Sequence, residues 1–407
     1  MSTPWLWHCS PGEEMYGKTF AFVCLTLVMF LAALPLSSHA ADAAERQDTA
    51  ATIKIGLDIP LTGSAAAIGH YLLWGVRVAV DETNAAGGVL GRPVELLVLD
   101  DETSPDKAAQ NIREFVDKDK VAVVLGPANS GNALAFIPFL QERRVPNMLL
   151  TASATTLTKI YENEDRNYIF RATLPDAEQL KALARWAAKK FKKIAIASDS
   201  TPYGQLAKKD FFEALATHGL APVETVEFEL GALDMTSQAL RLKPLGIEAL
   251  AVLSLGPEIA NMIRSADAIG LRPVFIGLYP FFLPSIAQLP TRLSDGLVGV
   301  LSASPEDSPK AAEIDRIVRR DYLKEGYYPF KFVVAAYEGT KLSLQAIANA
   351  GSTDGTEVRD ALENTVRFEG VHRVFIKPFS KTDHELYEVD DLYLGAWKNG
   401  KVLRLDE

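Results

Sequence analysis

Cysteine is almost missing from this chain. Its 407 residues hold two, Cys9 and Cys24, so nothing beyond residue 24 can form a disulfide, act as a thiolate nucleophile or hold a metal through sulfur. Histidine is nearly as scarce. Beyond residue 40 only His70, His218, His372 and His384 occur, none spaced as a metal-ligand pair, so no metal or cofactor is expected. There is no P-loop, no G-x-G-x-x-G and no G-x-S-x-G elbow. Positive charge is also short: 42 Lys and Arg stand against 52 Asp and Glu, a net charge of −10. Nucleic acid is excluded as a partner on that ground, because binding it needs a concentrated basic surface.

Long apolar runs are absent but for one. Phe20–Pro35 is uncharged, follows Lys18 and precedes Ser38-His39-Ala40. This order predicts a secretory signal cut near Ala40, which would place the remainder in the periplasm. The run is short for a membrane span. Met15 is an alternative start, since Glu13 and Glu14 make residues 1–14 a poor signal n-region, and no lipobox-like triplet precedes Cys24. Residues 41–51 read as a flexible start to the mature protein. The chain as a whole has a globular composition, 48% apolar and 23% charged, and is long enough for two domains.

The stretch Val121–Gly131, VAVVLGPANSG, shows the plan: an apolar strand over 121–125, a Gly-Pro turn, and a helix start with Ser130 where an N-cap would sit. Free backbone N–H groups behind such a cap can hold a carboxylate, although most caps bind nothing. Strands are expected at Ile53–Ile59, Val94–Leu99, Val121–Leu125 and Asn147–Leu150. Helices between them include Ala66–Ala85 and one capped by Ser104-Pro105-Asp106. Alternation of this kind predicts a parallel sheet covered on both faces, with ligand at the carboxyl ends of its strands. Those ends are Pro60–Ser64, Asp100-Asp101, Gly126–Ser130 and Thr151–Thr155. Asp100-Asp101 is read as a solvated strand end rather than a catalytic pair, because neighbours on a strand point apart. Asp383-His384 is read as a loop. A second α/β unit comes next, with strands near 168–173, 194–197, 223–228, 249–255, 273–277 and 297–301. Helices then dominate from residue 302, and short strands end the chain near 374–376 and 391–397.

Taken together, IKIGLDIPLTGSAAAIG, VDETNAAGGVLGRPVELLVLDDETSP, VLGPANSGNALAFIPFLQERRVPNMLLTASATTLT, FRATLPD, the TPYG turn and AAYEGTKLSLQAIANA resemble the type I periplasmic solute-binding family, in its branched-chain amino acid (Leu/Ile/Val) branch. The resemblance implies an α/β protein of two Rossmann-like lobes joined by a three-strand hinge, with a ligand cleft between them. Lobe 1 would be residues 52–173 plus 302–385, and lobe 2 residues 174–301 plus 386–407. It further implies a monomer that carries a small-molecule ligand to the permease subunits of an ABC importer, and no catalysis. Ser130, with backbone groups near Ala128 and Asn129, matches the family's carboxylate site. Ser153 and Thr155 match its second polar pair, Tyr203 the second-lobe tyrosine, Ile68 a position often aromatic, and Phe332 a wall residue. Gly256 ends a second-lobe strand facing the same cleft.

One departure sets the expected ligand. Amino-acid binders of the family carry an acid just after the second-lobe F-x-G strand, and here Tyr279 stands in that place. A buried ammonium without a carboxylate partner is costly. Glu258 is the nearest substitute, but an acid there also suits a helix first turn. The sequence therefore favours a carboxylate ligand lacking an α-ammonium, aromatic or aliphatic, against ring faces of Tyr279, Phe281 and Phe282, although these rings could equally fill the lobe core. Ser130→Ala is expected to weaken binding with little change in apo stability. A sensor of the same fold and an exported hydrolase are the rival readings; the hydrolase needs a nucleophile–base pair that the sequence does not offer.

Overall fold

The computed structural model describes residues 52–323 and 325–405, so the signal and the flexible start lie outside the described residues. The first sheet takes β1 (Ile53–Ile59), β2 (Val94–Asp100), β3 (Val124–Leu125), β4 (Asn147–Leu149) and β5 (Ile169–Arg171). Its strands are parallel, in the order β2-β1-β3-β4-β5. Between them run α1 (Ala66–Ala85), α2 (Pro105–Arg113) and α3 (Ser130–Arg143). Ser104 caps α2 by accepting from the Lys107 amide, and Pro105 fills the first helical position, as the sequence indicates.

The second sheet begins after α4 (Asp176–Lys190). Its strands are β6 (Ile194–Asp199), β7 (Thr225–Phe228), β8 (Ala249–Leu253), β9 (Val274–Ile276) and β10 (Val298–Leu301), with α5 (Pro202–Ala216), α6 (Thr236–Leu242) and α7 (Glu258–Ala268) among them. The order β7-β6-β8-β9-β10 repeats that of the first sheet, so the two units share one doubly wound plan. Then α8 (Pro309–Asp321), α9 (Phe330–Ala350) and α10 (Gly355–Glu363) return to the first unit, where α9 packs along α1 and against β4. A separate hairpin pairs β11 (Arg367–Glu369) with β12 (Val374–Ile376). Finally β13 (Tyr393–Lys398) and β14 (Lys401–Arg404) add an antiparallel edge to the second sheet. The chain thus passes between the sheets three times: after β5, after β10 and before β13. Among the described residues, no helix is long and apolar enough to cross a membrane.

Two local expectations are corrected. Of the run 121–125, only Val124–Leu125 forms a regular strand. A wide π-helical turn over Glu114–Asp119, ended by left-handed Lys120 (φ 58°), ties the Val121 amide to Phe115 O. Val123 O still accepts from Gly56 N, so the run stays beside β1. Asp101 is not solvated either. It is fully buried, and burial pushes its carboxyl up to about 6. Asp100 does sit at the surface, accepting from Leu61 N, Thr62 N and Thr62 Oγ1. His384 is buried in its loop, stacked 4.0 Å from the Phe170 ring with Nδ1 2.8 Å from Ile169 O.

Candidate functional site

The order of the first sheet reverses between β1 and β3, and the turn after β3 lies at that switch. Gly126 is required there: its φ is 102°, and a Cβ would stand 2.1 Å from Asp58 O. The N-cap of α3 is Asn129, not Ser130, because the Asn129 side chain accepts from Gly131 N at 2.8 Å. Asn129 is thereby committed to the helix. Ser130 becomes the first helical residue, and its buried Oγ accepts from Ala154 N at 3.1 Å. This bond ties the turn after β3 to the turn after β4. Thr151 Oγ1 makes a second tie, 3.4 Å from Ala128 O.

The second unit closes directly on these turns. The Tyr279 hydroxyl lies 2.8 Å from both Ser153 Oγ and Thr151 O. A Cβ on Gly131 would be 3.5 Å from Pro202 Cδ, so the start of α3 faces the start of α5. Phe332 packs edge-on against Tyr279, with ring centroids 5.4 Å apart, and stacks on Tyr71 of α1. Tyr203 is buried, and its hydroxyl has no hydrogen-bond partner among the described residues. Burial and the neighbouring Asp176 and Tyr279 hold that phenol far above its ordinary range. Ser130, Ala128, Ser153, Tyr203, Tyr279 and Phe332 thus belong to one buried locus.

Other expected residues stand apart from it. Thr155 Oγ1 is engaged between the units, 2.7 Å from Asp210 Oδ2 and accepting from Ala177 N at 2.9 Å, so it has no hydrogen free for a ligand. Gly256 abuts Glu258, whose carboxylate a Cβ would strike at 2.2 Å. Glu258 itself accepts from Gly231 N at 2.7 Å in the first turn of α7, which supports its helix-start reading. Ile68 is buried in the apolar core beneath α1. Phe281 and Phe282 do not reach the cleft. They fill the core of the second sheet with Trp397, whose Nε1 donates to Phe281 O at 2.9 Å.

Two charged residues escaped the sequence reading. Asp176 opens α4, fully buried, its backbone N–H donating to Ser153 O at 2.7 Å. Neither carboxylate oxygen has a hydrogen-bond partner among the described residues. Burial pushes its carboxyl up to about 7, opposed by nearby Ser153 and Arg171. Lys331, in the first turn of α9, is only 3% exposed. Its Nζ donates to Thr173 Oγ1 at 2.8 Å and stands 3.6 Å from the centroid of the Tyr279 ring. Burial pulls its ammonium down to about 7, against the pull of Asp176. An acid that sequence reasoning did not single out, Asp176, therefore lies near Tyr279 on a different element. FRATLPD held the only signal for it, an acid in a helix first turn, which the helix dipole alone would explain.

The locus sets serine and tyrosine hydroxyls beside a buried acid and a buried lysine, and among the described residues no group of three His, Cys, Asp or Glu could hold a metal. It brings hydroxyls, an amine and a carboxyl together against the rings of Tyr279 and Phe332, which is chemistry for holding a small polar solute. Comparison with known proteins agrees. A family model described as periplasmic binding protein matches residues 52–401. A Brucella abortus protein named Leu/Ile/Val-binding protein homolog 2 is 30% identical over 323 residues, covering 79% of this chain and 85% of its own. Among solved structures, a type 1 periplasmic binding protein of Bordetella pertussis superposes with a TM-score of 0.80 at 28% identity, over 87% of this chain and all of its own. The branched-chain amino acid binding protein LivJ of Streptococcus pneumoniae, solved with isoleucine, gives 0.76 at 26% identity, again over 87% of this chain and all of its own.

Proposed function

Because the chain belongs to the periplasmic binding protein family, we propose that it is an extracytoplasmic carrier that takes a small carboxylate ligand between its two units and presents it to an ABC importer. The observation that carries this reading is the cluster of buried, unsatisfied polar atoms where the two sets of strand ends meet: Tyr203 Oη and both Asp176 oxygens, beside Ser130 and Ser153. Buried polar groups are ordinarily satisfied, so a site with several orphans is one a solute or water completes.

In this reading Ser130 and Ser153 receive the carboxylate from the first unit, and Tyr203 and Tyr279 reach it from the second. Tyr279 bonds Ser153, so a ligand carboxylate must displace or share that hydroxyl. Contacts that exist only when the units are closed give the ligand a higher affinity for the closed form, and that difference drives the hinge. The lobe boundaries follow the three crossings, at about residues 173, 302 and 385. Export by the leader, a periplasmic location and a monomeric state belong to the same proposal.

Asp176 keeps a second ligand class open. A buried carboxylate with two oxygens unpaired among the described residues fits an amino-acid ammonium, and relatives are named for binding Leu, Ile and Val. Thermal-shift measurement with a panel of amino acids and of aromatic and aliphatic acids tests the carrier reading. At least one carboxylate should raise the melting temperature; no response to any of them, with folded protein, would sink it.

A further inference from the structure

Asp176 fits an ammonium, but the chain already places one beside it. Lys331 Nζ covers the ring face of Tyr279, the residue standing where amino-acid binders of this kind carry their acid. The ammonium is buried, bonded among the described residues to Thr173 Oγ1 alone, and close enough to Asp176 to feel its charge. It does not close on Asp176, whose oxygens stay unpartnered among the described residues. An ammonium has three donors, so Lys331 retains capacity that neither the Thr173 hydroxyl nor the ring satisfies.

Two ligand classes meet this arrangement differently. The ammonium of a zwitterion would have to reach Asp176 past a like charge in a space of low dielectric, which is unfavourable. An acid without an ammonium brings a single negative charge. Lys331 balances it, and Asp176, whose burial already favours the neutral form, takes a proton and becomes a donor. The locus is then neutral and its polar atoms can be paired.

Resting on the carrier reading of this cleft, we propose that Lys331 is its specificity-determining residue, and that it selects a carboxylate of net negative charge lacking an α-ammonium over the matching amino acid. Lys331 supplies the full counter-charge that the serine donors lack. The groups facing it are Asp176 from α4, Tyr279 from the turn after β9, and the Thr173 hydroxyl from the crossing after β5. Arg171 and Asp210 act on Asp176 from behind. Raising the pH removes the positive charge of Lys331 and makes Asp176 an anion, so acid affinity falls as pH rises through the range in which these two groups titrate.

Calorimetry with matched probes tests the proposal: 3-phenylpropanoate against L-phenylalanine, and 4-methylpentanoate against L-leucine, on wild-type protein and Lys331→Met. The acid of at least one pair should bind about tenfold or more tighter than its amino acid, a preference Lys331→Met removes by weakening the acid alone. The pH dependence should be steeper in wild type than in the variant, where only Asp176 is left to titrate. Amino acids binding as tightly as the acids, or Lys331→Met weakening both members of a pair equally, overturns the assignment of Lys331 and leaves the carrier reading standing. Binding of no carboxylate at all overturns both. Should the variant fail to fold, the wild-type preference and its pH profile decide the question alone.

Discussion

Glu338 and Asp176 are two carboxylates in the same situation with opposite outcomes. Each is fully buried, and burial pushes each up to about 7. Glu338, on α9, accepts from Val371 N in the hairpin turn and from Tyr387 Oη in the segment that crosses toward β13. Asp176 has no partner for either oxygen among the described residues. The first acid spends its bonding capacity fastening three parts of the chain together. The second keeps its capacity free at the meeting of the two units. If Asp176 is held for a ligand, as we propose, depth of burial does not separate it from a structural acid, and the pairing of its two oxygens is the difference to test.

Replacing Glu338 sharpens the contrast most. Glu338→Ala orphans a buried amide and a buried phenol and is expected to cost about 2–5 kcal/mol of stability, read by urea unfolding, with ligand affinity unchanged. Its titration gives the next effect. A carboxyl raised in the folded state stabilises the fold below its unfolded value and loses that contribution as pH rises through the folded one. From 4.5 to about 7, Glu338 is expected to make the apo protein less stable with rising pH. The size is about 3 kcal/mol over that window, and Glu338→Gln should flatten it in chemical unfolding. Ser130→Ala comes third. It removes the acceptor of the buried Ala154 amide and is expected to cost about 1–3 kcal/mol as well as weakening ligand binding. The bond to Ala154 thus corrects the expectation of an unchanged apo protein. Smallest is Asp176→Asn measured near pH 4, where the folded protein holds this carboxyl neutral, expected to leave apo stability within about 1 kcal/mol of wild type because an amide replaces a neutral acid. A loss as large as that of Glu338→Ala would break the comparison.

The sequence made the framework readable because the signals there are local. Ile53–Ile59 and Ala66–Ala85 follow from alternation and helical spacing, and the α2 cap from Ser104-Pro105. The short β14 was missed: Lys401–Arg404 is charged at both ends and becomes a strand only by pairing with β13. In the site, Ser130 was legible from its turn at a strand end, while Ser153, Tyr203 and Tyr279 came from the family resemblance. Asp176 and Lys331 were not. An acid in a helix first turn and a lysine beside apolar residues both read as ordinary solvated positions. Their burial is created by distant segments, Ser153 over the one and Tyr279 with Thr173 over the other. The same dependence moved Phe281 and Phe282 from the expected cleft into the core, where they pack with Trp397.

A crystal structure of the protein bound to whichever acid stabilises it tests the central claim most directly. The expected result is one ligand between the units, its carboxylate bonded to Ser130 and Ser153, Tyr279 turned to meet it, and Asp176 within hydrogen-bond reach of the ligand or of Ser153. Ligand seated elsewhere, for instance in the groove between Trp186 and Leu394, with Tyr279 still bonded to Ser153, would contradict it.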